Sequence, residues 1–261
     1  MVIHQITNSY GNYNYNAYIY DKAFFESHFH GNYELIYSIE GNTEVTINDV
    51  KYNVSKGELI LLSPYTIHAL KGEENSRVWV GVFSEDYISS FVEKNRFVSF
   101  LSFKCEPRIE EILLEYLFFE GKPEQYLLTA CLYLVCNECA KKITSCNSKK
   151  DEKFMLAVIE YISENLSQDK SLTEVASELN YEYHYFSSLF HRHFAMNFKS
   201  FVNIFRFEFA CKLLMNTDAS ITAICEKCGF GSIRNFNRVF KQLSGITPGQ
   251  YRKGISNSGE F

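Results

Sequence analysis

The sequence lacks any run of apolar residues that could cross a membrane, which takes about 20 of them. It also lacks, at its start, the basic region and apolar stretch of a secretory signal. Neither a nucleophile–base pair nor a phosphate-binding loop stands out along its 261 residues. We therefore expect a cytoplasmic protein that has no membrane segment and is not an enzyme.

Zinc-finger spacing is missing as well, although the chain has eight cysteines. Two CxxC pairs, Cys136/Cys139 and Cys225/Cys228, lie in segments whose pattern is helical. Neither has a second CxxC or a CxxH where zinc ligands would need one, and Cys146 adds at most a third ligand to the first pair. Because cytosolic thiols stay reduced, buried cysteines are favoured over disulfides or structural zinc.

The length and the 23 Phe and 18 Tyr residues fit two globular domains, and charge is divided unevenly along the chain. Residues 1–150 hold 14 basic and 19 acidic side chains, and residues 151–182 hold two basic and eight acidic ones. Residues 183–253 hold ten basic and three acidic side chains, a local net charge of +7. Because attraction to phosphate depends on local charge, this last block is the candidate surface for nucleic acid.

The first part of the chain is expected to be β-structure. Side chains alternate in character over residues 43–47, and residues 59–62 are typical of a buried strand. Turn signals recur at short intervals, at Gly31-Asn32, Gly41-Asn42, Asn48-Asp49 and Lys56-Gly57. This rhythm over residues 13–82 predicts an antiparallel β-sandwich or small barrel.

From about Ser84 the pattern becomes helical. Pro107 and Pro123 each stand where a helix can begin. The helices expected at 107–119 and 124–143 have long apolar faces, which we assign to dimerisation, with packing against the barrel as the alternative. Residues 145–152 are polar throughout and are the predicted linker.

Two helix–turn–helix patterns follow the linker. In the first, Ser171 and Glu174 form a capping box for a short helix that ends at Asn180. A second helix, over residues 183–194, then buries an apolar stripe that includes Phe186.

The same pattern returns about fifty residues later. Ser220 caps a short helix, Gly229 supplies the turn, and a helix over residues 232–243 follows. Between the units, residues 199–215 are apolar around much of a helix about 25 Å long. Such a spacer can hold two second helices about one DNA turn, roughly 34 Å, apart.

This C-terminal pattern resembles the AraC/XylS family of bacterial transcription regulators over about residues 153–253. The matching run is Ile221-x2-Ile224-Cys225-x3-Gly229-Phe230-x5-Phe236-x3-Phe240-Lys241-x3-Gly245-Ile246-Thr247-Pro248-x2-Tyr251-Arg252. The spacer helix matches at Arg206, Ala210, Leu213 and Leu214. Two positions differ from the family pattern, because Cys225 replaces the usual Ala and Ala195 replaces the usual Gly of the first unit.

The resemblance implies that residues near the starts of both second helices enter the major groove. The exposed candidates are Tyr183, His184, Ser187, Ser188 and Arg192 in the first unit, and Ile233, Arg234, Asn237, Arg238 and Lys241 in the second. Arginine can bridge two acceptors of guanine, and asparagine can pair with adenine. Arg192 and Lys241 come later in their helices and are expected at phosphates. A solvated helix face is the alternative for each residue.

In the N-terminal half, two short runs resemble the cupin motifs, although the second lacks a glycine before its histidine. The runs are His28-Phe29-His30-x3-Glu34-x6-Gly41 and Gly57-x6-Pro64-x3-His68. On a strand, His28 and His30 point to one face. Together with Glu34 and His68 they have two interpretations. We favour the one in which they line a ligand pocket or brace the barrel entrance. In the other they hold iron, manganese or nickel. We expect no cofactor.

The aromatic residues near the start, from Tyr10 to Tyr20, and Trp79 have two interpretations. They either stack on a sugar ring or fill the barrel. A cupin barrel before a double helix–turn–helix domain is, by the family resemblance, the arrangement of sugar- and metabolite-sensing regulators.

The expected architecture is a multidomain α+β protein. It has a cupin-like antiparallel β-barrel at 1–85, a helical dimerisation and coupling segment at 86–144, the linker at 145–152 and the DNA-binding domain at 153–253. The expected function is that of a regulator, an activator or repressor, which responds to a small molecule such as a sugar. Promoter DNA, the effector, RNA polymerase and a second copy of the chain are the expected partners. The alternatives are a metal-dependent cupin enzyme with a DNA-binding appendage and an interaction protein that does not bind DNA.

Overall fold

The computed structural model describes residues 3–4, 14–47, 50–95, 100–143, 150–194 and 196–258. The chain divides into two units, Met1–Lys153 and Phe154–Phe261. This boundary falls just after the predicted linker at 145–152. Most of that linker lies outside the described residues, but a helix already begins at Lys150, so its last residues are helical rather than linker.

The N-terminal unit contains ten strands among its described residues. They are β1 (Ile3–His4), β2 (Tyr15–Asp21), β3 (Phe24–Phe29), β4 (Tyr33–Glu40), β5 (Asn42–Ile47), β6 (Val50–Ser55), β7 (Glu58–Leu62), β8 (His68–Gly72), β9 (Arg77–Phe83) and β10 (Phe100–Lys104). One sheet has the order β1-β3-β8-β5-β6, and the other has the order β10-β7-β4-β9-β2. All neighbours pair antiparallel except β1, which runs parallel to β3. The predicted antiparallel β-domain is confirmed, as two facing sheets rather than a closed barrel.

The second sheet is buried on both faces, which explains why its central strands are apolar at nearly every position. Ile36 of β4 packs with Val45 and Leu70 of the opposite sheet. Its neighbours Leu35 and Tyr37 point the other way, since successive strand residues alternate between faces. The unit therefore has three layers: sheet, sheet and helices.

The helical layer consists of α1 (Ser89–Lys94), α2 (Pro107–Tyr116) and α3 (Gln125–Ile143), after a single 3₁₀ turn at Glu85–Ile88. Leu113 of α2 and Leu128, Leu132 and Val135 of α3 pack in the same core as Leu35. Part of the apolar faces that we assigned to dimerisation is thus covered by the chain's own sheet. Apolar side chains that remain exposed on this layer are Leu114, Tyr116, Phe119, Tyr126 and Leu127.

The prediction that the chain is helical throughout 86–144 is wrong at β10. Leu101 and Phe103 are buried while Ser102 and Lys104 are exposed, the alternation of a half-buried strand. The strand pairs with β7 and forms one edge of the second sheet. Five residues are too few for this alternation to stand out from the helical pattern on either side.

The C-terminal unit consists of helices in its described residues. They are α4 (Lys150–Glu164), α5 (Leu172–Glu178), α6 (Tyr183–Phe194), α7 (Phe198–Asn216), α8 (Ile221–Lys227), α9 (Ile233–Ser244) and α10 (Pro248–Ser258). Ser171 and Glu174 form the predicted capping box, and Ser220 caps α8 as predicted. Asn180 and Gly229 have φ angles of 60° and 74°, the left-handed turns expected between the helices of each unit.

The spacer helix α7 is apolar around much of its surface because it packs against both helix–turn–helix units. Its Phe201 ring lies 4.2 Å from the ring of Phe194 in α6. Its Phe207 ring lies 4.7 Å from the ring of Phe240 in α9. At 1.5 Å per residue, its 19 residues extend about 28 Å. In the part of the chain that the structure describes, no helix is long and apolar enough to cross a membrane.

Candidate nucleic-acid interface and histidine cluster

The second helix of the second unit, α9, has one buried face and one polar face. Phe236, Val239 and Phe240 are buried in the core. The predicted contact residues Ile233, Arg234, Asn237, Arg238 and Lys241 are all exposed. They are spaced at one, three and four residues, so they form one stripe along the helix. Ser232 caps this helix by accepting a hydrogen bond from the backbone N–H of Asn235.

Arg238 is held against its own helix. Its guanidinium donates to Oδ1 of Asn235 at 2.9 Å and to Oε1 of Gln242 at 3.3 Å. These contacts hold the side chain along the polar face and leave Asn237 and Arg234 beside it. The stripe therefore combines two planar guanidinium groups, an amide and an ammonium, the donor set suited to guanine, adenine and phosphate.

The second helix of the first unit, α6, has the same division into faces but different chemistry. Phe186, Leu189 and Phe190 are buried. Of the predicted contact residues, Tyr183, His184, Ser188 and Arg192 are exposed, while Ser187 is half-buried. Two exposed aromatic residues, Tyr183 and Tyr185, flank the start of this helix, and Tyr185 was absent from the predicted set.

Glu182 is a further residue that the sequence did not reveal. Its carboxylate accepts hydrogen bonds from the backbone N–H groups of His184 and Tyr185 at 3.0 and 2.9 Å, so it caps α6. These two hydrogen bonds, the His184 one first, hold the pKa of Glu182 below its usual value. Glutamate is uncommon as a cap, which is why the pattern gave no signal. The carboxylate places negative charge at the start of the first candidate DNA-reading helix.

The loop between α4 and α5 contacts both the spacer helix α7 and the second helix–turn–helix unit. Arg206 of α7, which is 5% exposed, donates to the carbonyl oxygens of Leu166 and Gln168 at 3.0 and 2.9 Å. Gly229 of the second unit also lies against this loop, because a Cβ there would be 2.3 Å from the Leu166 oxygen. Burial lowers the pKa of Arg206 from its usual value. The first unit, the spacer and the second unit are thus connected through one short segment.

The cysteines of the CxxC pairs are buried, as predicted. Burial raises the pKa of Cys136 and of Cys228 to about 12, so both are protonated thiols at neutral pH. Cys225 is 3% exposed and substitutes for the usual alanine as a small core residue. Cys146 and Ala195, the other two positions singled out in the sequence, lie outside the described residues.

In the N-terminal unit, four polar side chains meet between the two sheets, and we call them the histidine cluster: His28, His30, Glu34 and His68. His28 on β3 and His68 on β8 are register partners in the first sheet. Glu34 on β4 has the same orientation as Ile36 and so points from the second sheet toward them. His30 follows β3, and the backbone N–H of Tyr65 donates to its carbonyl oxygen.

One ligand atom from each of these four residues lies within 4.8 Å of those of the other three. All four residues are no more than 3% exposed. Nε2 of His30 is 2.8 Å from Oε2 of Glu34, and Nε2 of His68 is 3.5 Å from Oε1. The spacing in the sequence had indicated this set, and the structure brings all four together.

The cluster buries a negatively charged carboxylate and the histidines that stabilise it, out of contact with water. Burial alone would raise the pKa of Glu34, but His68 and His30 outweigh it and hold that pKa well below the usual value. Burial would lower the pKa of His68, but Glu34 raises it above the usual value. Burial, and then His68, lower the pKa of His28 to about 4. Glu34 is therefore a carboxylate and His28 is neutral at neutral pH.

Trp79 belongs to the core rather than to a sugar-stacking surface. Its ring is fully buried beside Phe118, and its Nε1 donates to the carbonyl oxygen of Phe119 at 3.0 Å. In the aromatic N-terminal stretch, Tyr15 is buried and Tyr18 is exposed, while residues 5–13 lie outside the described part. Of the two interpretations of Trp79, filling the interior is the correct one.

Comparison with known proteins agrees with both units. Residues 15–80 match the family model described as AraC-like ligand binding domain, and residues 175–254 match the one described as helix-turn-helix domain. The chain belongs to the AraC family. Together the two models match more than half of this AraC-family chain.

Individual relatives match different shares of the chain. The regulatory protein PocR of Salmonella typhimurium is 35% identical over 46% of this chain and 39% of its own length. The melibiose operon regulatory protein of Escherichia coli is 22% identical over 87% of this chain and 83% of its own length. The chain spans only 12% and 39% of the lengths of two relatives that it matches at 35% identity.

Among solved structures, ToxT of Vibrio cholerae with a bound unsaturated fatty acid has a TM-score of 0.52. The match covers 96% of this AraC-family chain and 100% of ToxT at 16% identity. At this identity the likeness establishes the fold alone.

Proposed function

We propose that this chain is a sequence-specific DNA-binding transcription regulator that responds to a small molecule bound in its N-terminal unit. The observation that carries the proposal is the pair of second helices, α6 and α9, each of which presents a polar face opposite an apolar face. On α9 that face is basic, and the surrounding block has a net charge of +7. A surface of this kind attracts phosphates and presents side chains that can reach base edges.

The proposed division of labour follows from position along each helix. Arg234, Asn237 and Arg238 lie in the first two turns of α9 and are assigned to bases, with Arg234 and Arg238 suited to guanine and Asn237 to adenine. On α6, Tyr183, His184, Ser187 and Ser188 take the corresponding positions, with Ile233 as the apolar counterpart at the start of α9. Arg192 and Lys241 lie further along and are assigned to phosphates.

The proposed partners are promoter DNA, RNA polymerase, a second copy of the chain and a small-molecule effector, in the cytoplasm. The family model matched by residues 15–80 and the names of two similar proteins support an effector: one regulates a melibiose operon, and the other has been solved with a fatty acid. Exposed apolar side chains on α2 and α3, such as Leu114 and Leu127, support a homodimer through that layer. We also propose that the chain is not an enzyme, since its named relatives are regulators.

The test is binding of the full chain to the DNA upstream of its own coding sequence, measured by fluorescence anisotropy. Arg234→Ala and Arg238→Ala should each weaken binding by about 1–3 kcal/mol, roughly fivefold to 150-fold. Lys212→Ala is the control, because Lys212 is an exposed base on α7 and does not belong to the α9 stripe. If both arginine variants bind as tightly as the control, the chain is instead an interaction protein that does not read DNA.

A further inference from the structure

The ring nitrogens of the histidine cluster are already oriented as metal ligands are. Each Nδ1 faces a backbone carbonyl oxygen: that of Glu26 for His28 at 2.7 Å, of Asn32 for His30 at 3.0 Å, and of Thr66 for His68 at 2.9 Å. A carbonyl oxygen can only accept, so each Nδ1 carries the proton and donates it. In a neutral ring the proton is then absent from Nε2, whose lone pair is free to coordinate.

Those lone pairs are poorly satisfied by the protein alone. Among the described residues, the buried Nε2 of His68 has no hydrogen-bond partner, since 3.5 Å from Oε1 of Glu34 is too long for a good hydrogen bond. Nε2 of His30 lies 2.8 Å from Oε2 of Glu34. With the ring proton on Nδ1, lone pairs of the two atoms face each other, so a cation is needed between them. Protons on Nε2 of both His28 and His68 would place two cationic rings with centroids only 4.2 Å apart, whereas a single metal ion among the Nε2 atoms satisfies their lone pairs together.

We propose that His28, His30, Glu34 and His68 bind one divalent first-row transition-metal ion between the two sheets. The donor set decides the class of ion, because imidazole nitrogens suit iron, nickel, zinc and copper, and the carboxylate admits manganese. Magnesium and calcium prefer sites made of oxygen, of which this cluster offers a single carboxylate. The size also fits: ligands on opposite sides of a metal at about 2.1 Å lie about 4.2 Å apart, close to the 4.8 Å limit of the cluster.

The same geometry argues against an organic effector at this point. The four side chains are at most 3% exposed and close upon one another, so a sugar ring would have to separate the sheets. A single ion needs only small side-chain movements. The inference deepens the proposed function, since it names the ligand class for one site of the ligand-binding unit, but metal binding can be measured without DNA.

The experiment uses the full chain, stripped with chelator, desalted and titrated with Co²⁺, Ni²⁺, Mn²⁺ and Mg²⁺. We expect about one Co²⁺ per chain, a visible spectrum without a thiolate charge-transfer band, and no displacement by Mg²⁺. At a hundredfold excess over Kd, the melting temperature of the N-terminal unit should rise by about 5 °C or more. A chain that retains no Co²⁺, or binds it through thiolates, overturns the proposal.

Variants locate the ion. His68→Ala and Glu34→Gln should each weaken Co²⁺ binding at least tenfold, while His191→Ala, which removes an exposed imidazole from α6, should leave it unchanged. Equal affinity of all three variants would assign the ion to another site and overturn the proposal. If a cluster variant fails to fold, the spectrum and stoichiometry of the unmodified chain decide. Intact binding to upstream DNA in a chain that takes up no metal would overturn this inference alone and leave the proposed function standing.

Discussion

The two helix–turn–helix units share one backbone plan and differ in charge. In both, the turn closes by the same hydrogen bond across the corner, from Tyr181 N–H to the Ala176 oxygen in the first unit and from Phe230 N–H to the Cys225 oxygen in the second. The second unit then presents two arginines and a lysine on α9. The first presents tyrosines, a histidine and serines, with Arg192 as its exposed base and the carboxylate of Glu182 at its start.

The difference suggests separate contributions to a complex with DNA. The arginines of the second unit can supply bidentate contacts to bases and also electrostatic attraction to phosphates. The attraction to phosphates is the part that weakens as salt is added. The first unit offers single hydrogen bonds and ring contacts, so it adds selectivity with less electrostatic attraction. Four experiments test this comparison, in order of decreasing effect.

The largest effect is expected at the corner of the second unit. Gly229→Val should destabilise the C-terminal unit by about 3 kcal/mol, because it forces a β-branched residue to a φ of 74° and into the backbone of Leu166 and Ser167. Urea unfolding followed by far-ultraviolet circular dichroism measures it. Asn180→Gly, at the matching corner of the first unit, should change stability by less than about 1 kcal/mol. Equal costs would mean that the loop contact is unimportant.

The second effect concerns Arg206, which binds the spacer helix α7 to the loop between α4 and α5. Arg206→Lys should destabilise the C-terminal unit by about 2 kcal/mol, since one ammonium cannot reproduce the two guanidinium hydrogen bonds to Leu166 and Gln168. The conservative control is Arg234→Lys, at an exposed position on α9, which should leave the urea midpoint unchanged. A similar midpoint for both variants would show that the loop is held by apolar packing.

The phosphate contacts of the two units can be counted by salt titration. Lys241→Ala and Arg192→Ala should each reduce the slope of log affinity against log salt by about 1. Ser188→Ala, an exposed neutral position on α6, should leave the slope as it is. If Arg192→Ala has no effect on the slope while Lys241→Ala does, the first unit takes no part in phosphate binding.

The smallest effect concerns the acidic cap of the first unit. Glu182→Gln should raise DNA affinity about twofold to fivefold at low salt, because it removes a negative charge beside the candidate groove-facing residues. The gain should vanish at high salt. Helix α6 should become slightly less stable, since the neutral amide is a weaker acceptor for the N–H groups of His184 and Tyr185. Unchanged affinity at low salt would place α6 away from the phosphates.

Local signals in the sequence were sufficient for most of the helices. The caps Ser171 and Ser220, the corner residues Asn180 and Gly229, and the apolar stripes around Phe186 and Phe236 depend on near neighbours and could be predicted. The four members of the histidine cluster could be grouped because their spacing resembles the two cupin motifs. Strand alternation alone could not group them, since Glu34 lies on a strand of the other sheet and His30 lies after β3.

What could not be predicted depends on partners far along the chain. Arg206 bonds to carbonyl oxygens 40 and 38 residues away, and backbone acceptors leave no trace in side-chain identity. Strand β10 is defined by its pairing with β7 more than by its own five residues. Glu182 caps through a side chain that is rarely chosen for this role.

The burial of Trp79 gives the protein a built-in optical reporter. It is the sole tryptophan of the chain. It is the register partner of Tyr37 on β4, and its indole N–H donates to the carbonyl oxygen of Phe119, which follows α2. Its emission therefore follows the N-terminal unit alone, while helical ellipticity is dominated by the C-terminal one. Melting of the two halves can be watched separately in one unlabelled sample, and a red shift would signal that water has entered between the sheet and its helices.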